Sequence, residues 1–216
     1  FRTLASAPHA ILMENGMGGL SAYCKYLSTL KVDENKCGII VMNCNPFTLG
    51  HKYLIEKAAA QVDHLFVIIV KEDMSLFSTS QRTAMAQKAC EEMTNVTVCE
   101  GSDYAISAAT FPTYFLKHLT EASDTQMTLD INLFSKHIAP ALNATVRFVG
   151  TEPTDILTAR YNDLMKQLLP QHGIDVVEID RIALDNEIVS ASRVRAFIEE
   201  ERLSDAIQLV PEITLP

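Results

Sequence analysis

The sequence predicts an α/β fold: a parallel sheet of about five strands with helices on both faces. Three observations carry this. From residue 37 onward, short apolar runs alternate with stretches of helical period. The runs over 38–42 and 65–70 are continuously apolar, as strands covered on both sides are. A chain of 216 residues suits one large domain, which can bury roughly 70% of its unfolded surface without covalent staples.

Residues 1–15 show no clear period and read as a lead-in, and the GMGG run over 16–19 breaks the chain. Leu20, Tyr23, Cys24 and Leu27 then share one helical face, and 32–36 is a polar connector. The division expected is 1–36, a lead-in and helix, followed by one domain over 37–216. The first strand covers 38–42. The next helix carries Leu54, Ile55, Ala58, Ala59 and Val62 on one side, and a strand follows over 65–70. Ser78 and Gln81 have the spacing of a capping box, opening a helix expected to bury Met85, Ala89 and Met93. A strand over 96–98 precedes a less regular region with helices near 112–121 and 127–141. The fourth strand covers 146–149. Leu157, Tyr161, Leu164 and Leu168 mark a helix ended by Pro170. A strand over 175–179 and short helices near 192–201 and 203–209 complete the chain. Ligands of such sheets bind beyond the carboxyl ends of the strands. The loops after residues 42, 70, 99 and 149 should therefore line one site.

Composition narrows the function classes. Hydrophobic residues at 48% and charged residues at 21% argue against disorder. A net charge of −9 disfavours a nucleic-acid partner held by the overall field, while leaving room for a small basic phosphate pocket. No apolar run is long enough for a membrane span, and no secretory signal is visible. The chain begins with Phe1, not Met, so a segment of a longer chain is expected. Cysteines at 24, 37, 44, 90 and 99 form no Cys-x-x-Cys pair, which fits reduced thiols and a cytoplasmic location. No histidine stands at metal-ligand spacing from a cysteine, so no structural metal is expected. His9, His64, His118, His137 and His172 lack motif context and read as structural.

Two segments carry chemistry. Asn43-Cys-Asn-Pro-Phe-Thr-Leu-Gly-His51 joins the first strand to the first helix. Gly50 would let a ligand approach the backbone, and His51 falls in the first helical turn, where free amides and the helix dipole favour an anion. Val189-Ser-Ala-Ser-Arg-Val-Arg195 brings hydroxyls and a guanidinium to a second helix start. Ser192 can cap that helix, and Arg195, one turn in, can clamp a phosphate. A plain capped helix explains either segment alone.

Together, in this order, the segments resemble the (H/T)xGH and ISxTxxR-like motifs of the nucleotidylyltransferase superfamily, whose fold is Rossmann-like. Thr48 stands where a histidine is commoner, and Ser192 where threonine is usual. Longer strings resemble the citrate lyase ligase family: NCNPFTLGHKYLIEKAA over 43–59, GSDYAISAATFPTYFLK over 101–117 and RFVGTEP over 147–153. The upstream ENGMGGLSAYCKYL belongs to the same match. Full members of that family carry a further N-terminal acetyltransferase-like domain, which is expected to be missing here.

The resemblance implies an ATP-dependent ligase. Acetate attacks the α-phosphate of ATP to give acetyl-AMP and pyrophosphate. The prosthetic-group thiol of the citrate lyase acyl carrier subunit then takes the acetyl group. ATP and Mg²⁺ are the implied cofactors, acetate and the carrier subunit the implied partners. His51, Thr48 and Arg195 are the implied catalytic residues. The implied nucleotide contacts add Asn43, Asn45, Pro46, Phe47, Gly50, Gly150, Glu152, Val189, Ser190 and Ser192. Lys71, Arg82, Asp103 and Tyr104, beyond the second and third strands, are the candidates for acetate. Competing readings are an acetate ligase for another carrier complex such as malonate decarboxylase, a phosphopantetheine-type adenylyltransferase, and a nucleotide-binding regulatory module without turnover.

Overall fold

The computed structural model describes residues 1–16, 18–72, 75–107, 110–111, 122–185 and 187–214. The helix expected near 112–121, His118 and part of the 101–117 string lie outside them. The central sheet is parallel, in the order β5-β4-β3-β6-β7. Its strands are β3 (Cys37–Met42), β4 (His64–Ile69), β5 (Val96–Glu100), β6 (Ala144–Gly150) and β7 (Asp175–Ile179). All five match the strands read from the sequence to within a few residues. The chain builds outward from β3 to β5, then returns to place β6 on the other side of β3. The loops after β3 and β6 therefore diverge, and a crevice opens between them.

Side chains alternate across the sheet and feed two cores. Ile39, Phe66 and Ile68 pack with α1 (Gly19–Leu30), α4 (Ser123–Leu133) and α5 (Ile156–Leu168). Ile40, Val67 and Ile69 face the opposite way, toward α2 (Leu49–Ala59) and α3 (Thr79–Ala89). A third, small cluster joins Val189 to α6 (Ala191–Glu199) and α7 (Leu203–Ile207) through Val194, Ala206 and Leu209.

Several expectations change. Residues 1–15 form an antiparallel hairpin, β1 (Arg2–Ala7) with β2 (Ala10–Glu14), and not a lead-in. A register shift between Thr3 and Ala5 makes Leu4 and Ala5 both buried, and this breaks the two-residue period that marks a strand. The hairpin is tied to α4 and the turn after it by Asn132 Nδ2 donating to Ser6 O (2.9 Å) and by His137 Nε2 against Leu4 O (3.1 Å). Ser78 and Gln81 do form the capping box of α3. That helix buries Arg82, Thr83 and Ala86, whereas Met85, Ala89 and Met93 are only half-buried against the core. The helix expected over 127–141 begins at Ser123 and passes through a π-helical turn, Phe134–Ile138, before its last turn, Ala139–Ala141. A two-residue ribbon, β8 (Ala183–Leu184) with β9 (Glu187–Ile188), was too short to register as a period.

Candidate nucleotide site

A cavity of about 650 Å³ opens at the carboxyl ends of the strands, a volume typical of small-molecule sites. The loops after β3, β4, β5 and β6 all contribute to it, through Asn43 to Asn45, Thr48, Gly50, His51, Glu72, Ile106 and Glu152, whereas Pro46 and Phe47 do not line it. Val189, Ser190, Ser192 and Arg195 complete the rim. The two sequence motifs, about 150 residues apart in the chain, are thus neighbours in space.

The first motif is locked from inside. Thr48 is the N-cap of α2, and His51 reaches back to it, closing a reciprocal cap. The Thr48 N–H donates to His51 Nδ1 (3.0 Å), and Thr48 Oγ1 lies 2.9 Å from the same nitrogen. A backbone N–H can only donate, so Nδ1 is the acceptor and the neutral ring carries its proton on Nε2. Burial, with the nearby Arg181 charge as a second cause, pushes the His51 pKa down to about 4. The side chain is therefore a neutral Nε2–H donor at physiological pH. The Phe47 ring, fully buried, lies 5.6 Å from the imidazole.

One sequence expectation needs correction here. The α2 start is not a row of free amides: Leu49 N–H donates to Leu209 O (2.9 Å), His51 N–H to Thr48 Oγ1 and Lys52 N–H to Thr48 O. Gly50 lines the cavity and also admits the backbone of this chain, since a Cβ there would lie 3.0 Å from Val189 O. The glycine thus lets the second motif approach the first. Thr48 is 1% exposed and bonded to His51, so it acts on the ring. Thr48→Val should cost about 1 kcal/mol through the lost cap. In melting curves that is a fall of roughly 2–4 °C for a chain of this size. Activity should fall far less than on removing His51, because the backbone bond to Nδ1 survives. An unchanged melting temperature would sink the capping role.

Arg195 crosses between the motifs. Its guanidinium donates to Asn45 O (2.5 Å) and to Ser192 Oγ (3.1 Å). Ser190, not Ser192, caps α6, accepting from Arg193 N–H (3.3 Å). Ser192 lies one turn below Arg195 and aims its fork. The C-terminal tail adds Thr214 Oγ1 donating to Phe47 O (3.1 Å).

Asn43 and Asn45 are held by the α3 side of the sheet. Asn43 Oδ1 accepts from Arg82 (2.7 Å), and Asn45 Oδ1 from Phe77 N–H (3.2 Å). Arg82, with no exposed surface, donates to the carbonyls of Asn43, Val70, Glu72 and Phe77. Its guanidinium fastens loops together and does not line the cavity, so the acetate reading of Arg82 gives way to a structural one. Nor do the other acetate candidates line it. Lys71 forms an exposed ion pair with Asp103 (3.2 Å). The Tyr104 hydroxyl donates to Glu14 Oε1 (2.5 Å), anchoring the β5 loop to the hairpin. That bond holds the Glu14 carboxyl below its usual range and pushes the Tyr104 hydroxyl up to about 12.

On the opposite wall, Gly150 and Glu152 follow β6. The Glu152 carboxylate is 6% exposed, accepts from Thr154 and Asp155 amides, and pairs with Arg181. Arg181 also donates from Nε to Thr151 O (2.6 Å). Sequence reasoning missed Arg181 because the loop after β7 was not counted with the others. It also passed over Arg147, a charge inside the apolar run of β6 that is buried and lines the cavity. A charged residue amid such a run was the available signal. Among the described residues no group of three metal-ligating side chains comes together, and no helix is long and apolar enough to cross a membrane.

Comparison with known proteins places this geometry in a lineage. The family model described as "Citrate lyase ligase C-terminal domain" matches residues 37–216. Similar proteins include the [Citrate [pro-3S]-lyase] ligase of Klebsiella pneumoniae, 45% identical over 210 residues. That of Haemophilus influenzae is 44% identical over 213 residues. These alignments cover 95% and 96% of this chain but only 61% and 64% of the two relatives. Among solved structures, pantothenate synthetase from Thermus thermophilus superposes with a TM-score of 0.55 at 12% identity, over 85% of this chain and 68% of that one. That likeness supports the nucleotidylyltransferase-type fold alone. The chain belongs to the citrate lyase ligase family, and its match is to that family's C-terminal domain.

Proposed function

We propose that this chain is the adenylating part of a citrate lyase ligase: it joins acetate to the α-phosphate of ATP and passes the acetyl group to a thiol. In the first step a carboxylate oxygen forms a bond to Pα, and the Pα–O bond to pyrophosphate breaks. In the second, the prosthetic-group thiolate of the citrate lyase acyl carrier subunit attacks the acyl carbon, and AMP leaves. The observation that carries this reading is the meeting of the two motifs. Arg195 of one is bonded to Asn45 of the other, beside a histidine held as a neutral Nε2–H donor.

Carboxylate attack brings two anions together and gathers charge on the phosphate oxygens, so fixed donors dominate the catalysis. His51 Nε2–H suits an α-phosphate oxygen. Being neutral, it lends a hydrogen bond without competing for the proton balance of the cavity. Arg195, aimed by Ser192, suits the β- and γ-phosphates, and the backbone from Val189 to Ser190 suits the base. Glu152, buried against Arg181, suits the ribose hydroxyls as an acceptor. Glu152 and Asp155 are already committed to amides and Arg181, so these carboxylates offer no cage for Mg²⁺. Mg²⁺ bound chiefly through substrate phosphates needs none, and when bound it shares their charge. The five free cysteines, four of them buried, suit a reducing cytoplasm.

Acetate-dependent exchange of labelled pyrophosphate into ATP tests this without the carrier subunit. Exchange that needs acetate supports it. ATP binding with no exchange would leave only a nucleotide-binding module, and exchange that needs phosphopantetheine instead would move the chain to another reaction. A companion test concerns Arg195→Lys. An ammonium cannot reproduce a planar fork, so ATP affinity should fall about tenfold or more, with AMP affinity changed little. Equal losses for both nucleotides would remove Arg195 from the terminal phosphates.

A further inference from the structure

Arg181 follows β7 and lines the cavity on the wall that carries Glu152. The exits of β6 and β7 are joined by Thr151 N–H donating to Ile179 O (2.9 Å). Thr151 in turn holds the arginine at two points: its hydroxyl accepts from the Arg181 N–H (3.2 Å) and its carbonyl from Nε (2.6 Å). Nη2 pairs with Glu152 Oε2. The other oxygen of that carboxylate accepts from the amides of Thr154 (3.2 Å) and Asp155 (3.1 Å) and from the Thr154 hydroxyl (2.9 Å). The guanidinium is thus fixed through Nε and Nη2, and among the described residues Nη1 meets no partner. The side chain keeps 30% of its surface exposed. A planar fork held on two nitrogens presents the third in a set direction. Its charge also reaches His51, where it adds to burial in keeping that ring neutral.

Arg195 and Arg181 serve different ends of the cavity. Arg195 is bonded to Asn45 O and Ser192, between the two motifs, whereas Arg181 stands on Glu152. In a nucleotide the α-phosphate is one methylene away from the ribose ring. A cation that is bonded to the ribose-side carboxylate and close to His51 therefore matches Pα and not the terminal phosphates. We propose that Arg181 is a ligand of the α-phosphate, its Nη1 donating, together with His51 Nε2, to the non-bridging oxygens of Pα in ATP and in the acyl-adenylate. The inference rests on the reading given above, in which the cavity takes ATP with Pα at His51. Pairing with Glu152 tempers the net charge of Arg181 but leaves its free N–H groups strongly polarised. Pyrophosphate then departs with the phosphates that Arg195 holds, and Arg181 retains the adenylate.

Calorimetry with AMP, adenosine and ATP, with no acid present, tests this. Arg181→Lys can still pair with Glu152 but has no second arm for a phosphate. AMP affinity should fall about tenfold, while adenosine affinity stays within about twofold. ATP should lose as much as AMP, unlike Arg195→Lys, which should spare AMP. If Arg181 only ties the β6 and β7 loops together, melting falls and the ratio of AMP to adenosine affinity does not move. If it only holds Glu152 for the ribose, adenosine loses as much as AMP. Either result overturns the α-phosphate contact. Joint substitution Glu152→Gln with Arg181→Gln strands no charge and covers the case in which Arg181→Lys does not fold. The same ratio should fall about tenfold there, whatever adenosine itself loses, and an unmoved ratio overturns the contact again. A wild-type chain that binds adenosine as tightly as AMP overturns it outright. Failure of the acid-activation reading shows elsewhere: if the ratio falls as expected but the wild-type chain supports no acetate-dependent exchange, Arg181 keeps its phosphate and the ligase reading is lost.

Discussion

His51→Ala should lower the rate of acetate-dependent pyrophosphate exchange by roughly 10²–10³, the usual cost of removing one preorganised donor from a developing anion. ATP binding should weaken far less, because Arg195 and the second motif remain. The structure adds a second consequence. The imidazole is half of the α2 cap, so its loss frees the Thr48 N–H and lowers stability as well. His51→Asn, whose amide can still accept from a nearby N–H, separates the two effects: it should recover part of the melting temperature and little of the rate. Near-normal exchange in His51→Ala would remove the residue from the chemistry.

The protonation of His51 gives the same residue a pH signature. Its pKa falls from an ordinary 6.5 to about 4 in the folded chain. The unfolded chain therefore takes up a proton there as pH drops through 6.5, and the folded chain does not. The site's contribution to stability is complete above about pH 6.5 and is lost progressively toward pH 4. The stability gap between wild type and His51→Asn should narrow across that window. A gap that widens as the pH falls would contradict a neutral, desolvated ring.

The largest effect on stability is expected at Arg82. Arg82→Met keeps the bulk of the stem but removes the donors that serve four carbonyls and Asn43 Oδ1. Breaking a buried charged network of this kind costs on the order of 3–5 kcal/mol. At about 2–4 °C per kcal/mol for a chain of this length, melting should fall by roughly 10 °C or more. Nucleotide affinity should fall too, since Arg82 bonds both the side chain and the carbonyl of Asn43 at the start of the site loop. Arg82→Lys should rescue little, because one ammonium cannot span carbonyls that lie in several directions. A variant within about 1 kcal/mol of wild type would show that the loops hold without it.

Residue order alone determined the sheet. The apolar runs of β3 and β4 are continuous because both faces are covered, so neither strand has a face it could turn to water. The helix start at Ser78 was legible because capping is a local bond between residues three apart. The pairing of 43–51 with 189–195 was legible through the resemblance to the nucleotidylyltransferase motifs, while topology alone pointed to the loops after β3, β4, β5 and β6, at one edge of the sheet. Only the tertiary structure decided what each polar side chain does at that edge. Arg82 and Arg195 are alike in sequence as cations near loops, yet one is enclosed by carbonyls and the other spans the two motifs. Thr48 fixes the tautomer of His51, and Val189 crosses at Gly50. Arg181 entered the site from outside every motif, and Arg147 as the first residue of the 147–153 string. Such roles depend on distances between residues far apart in the chain, and a guanidinium bonds whatever acceptor the fold brings within about 3 Å of it.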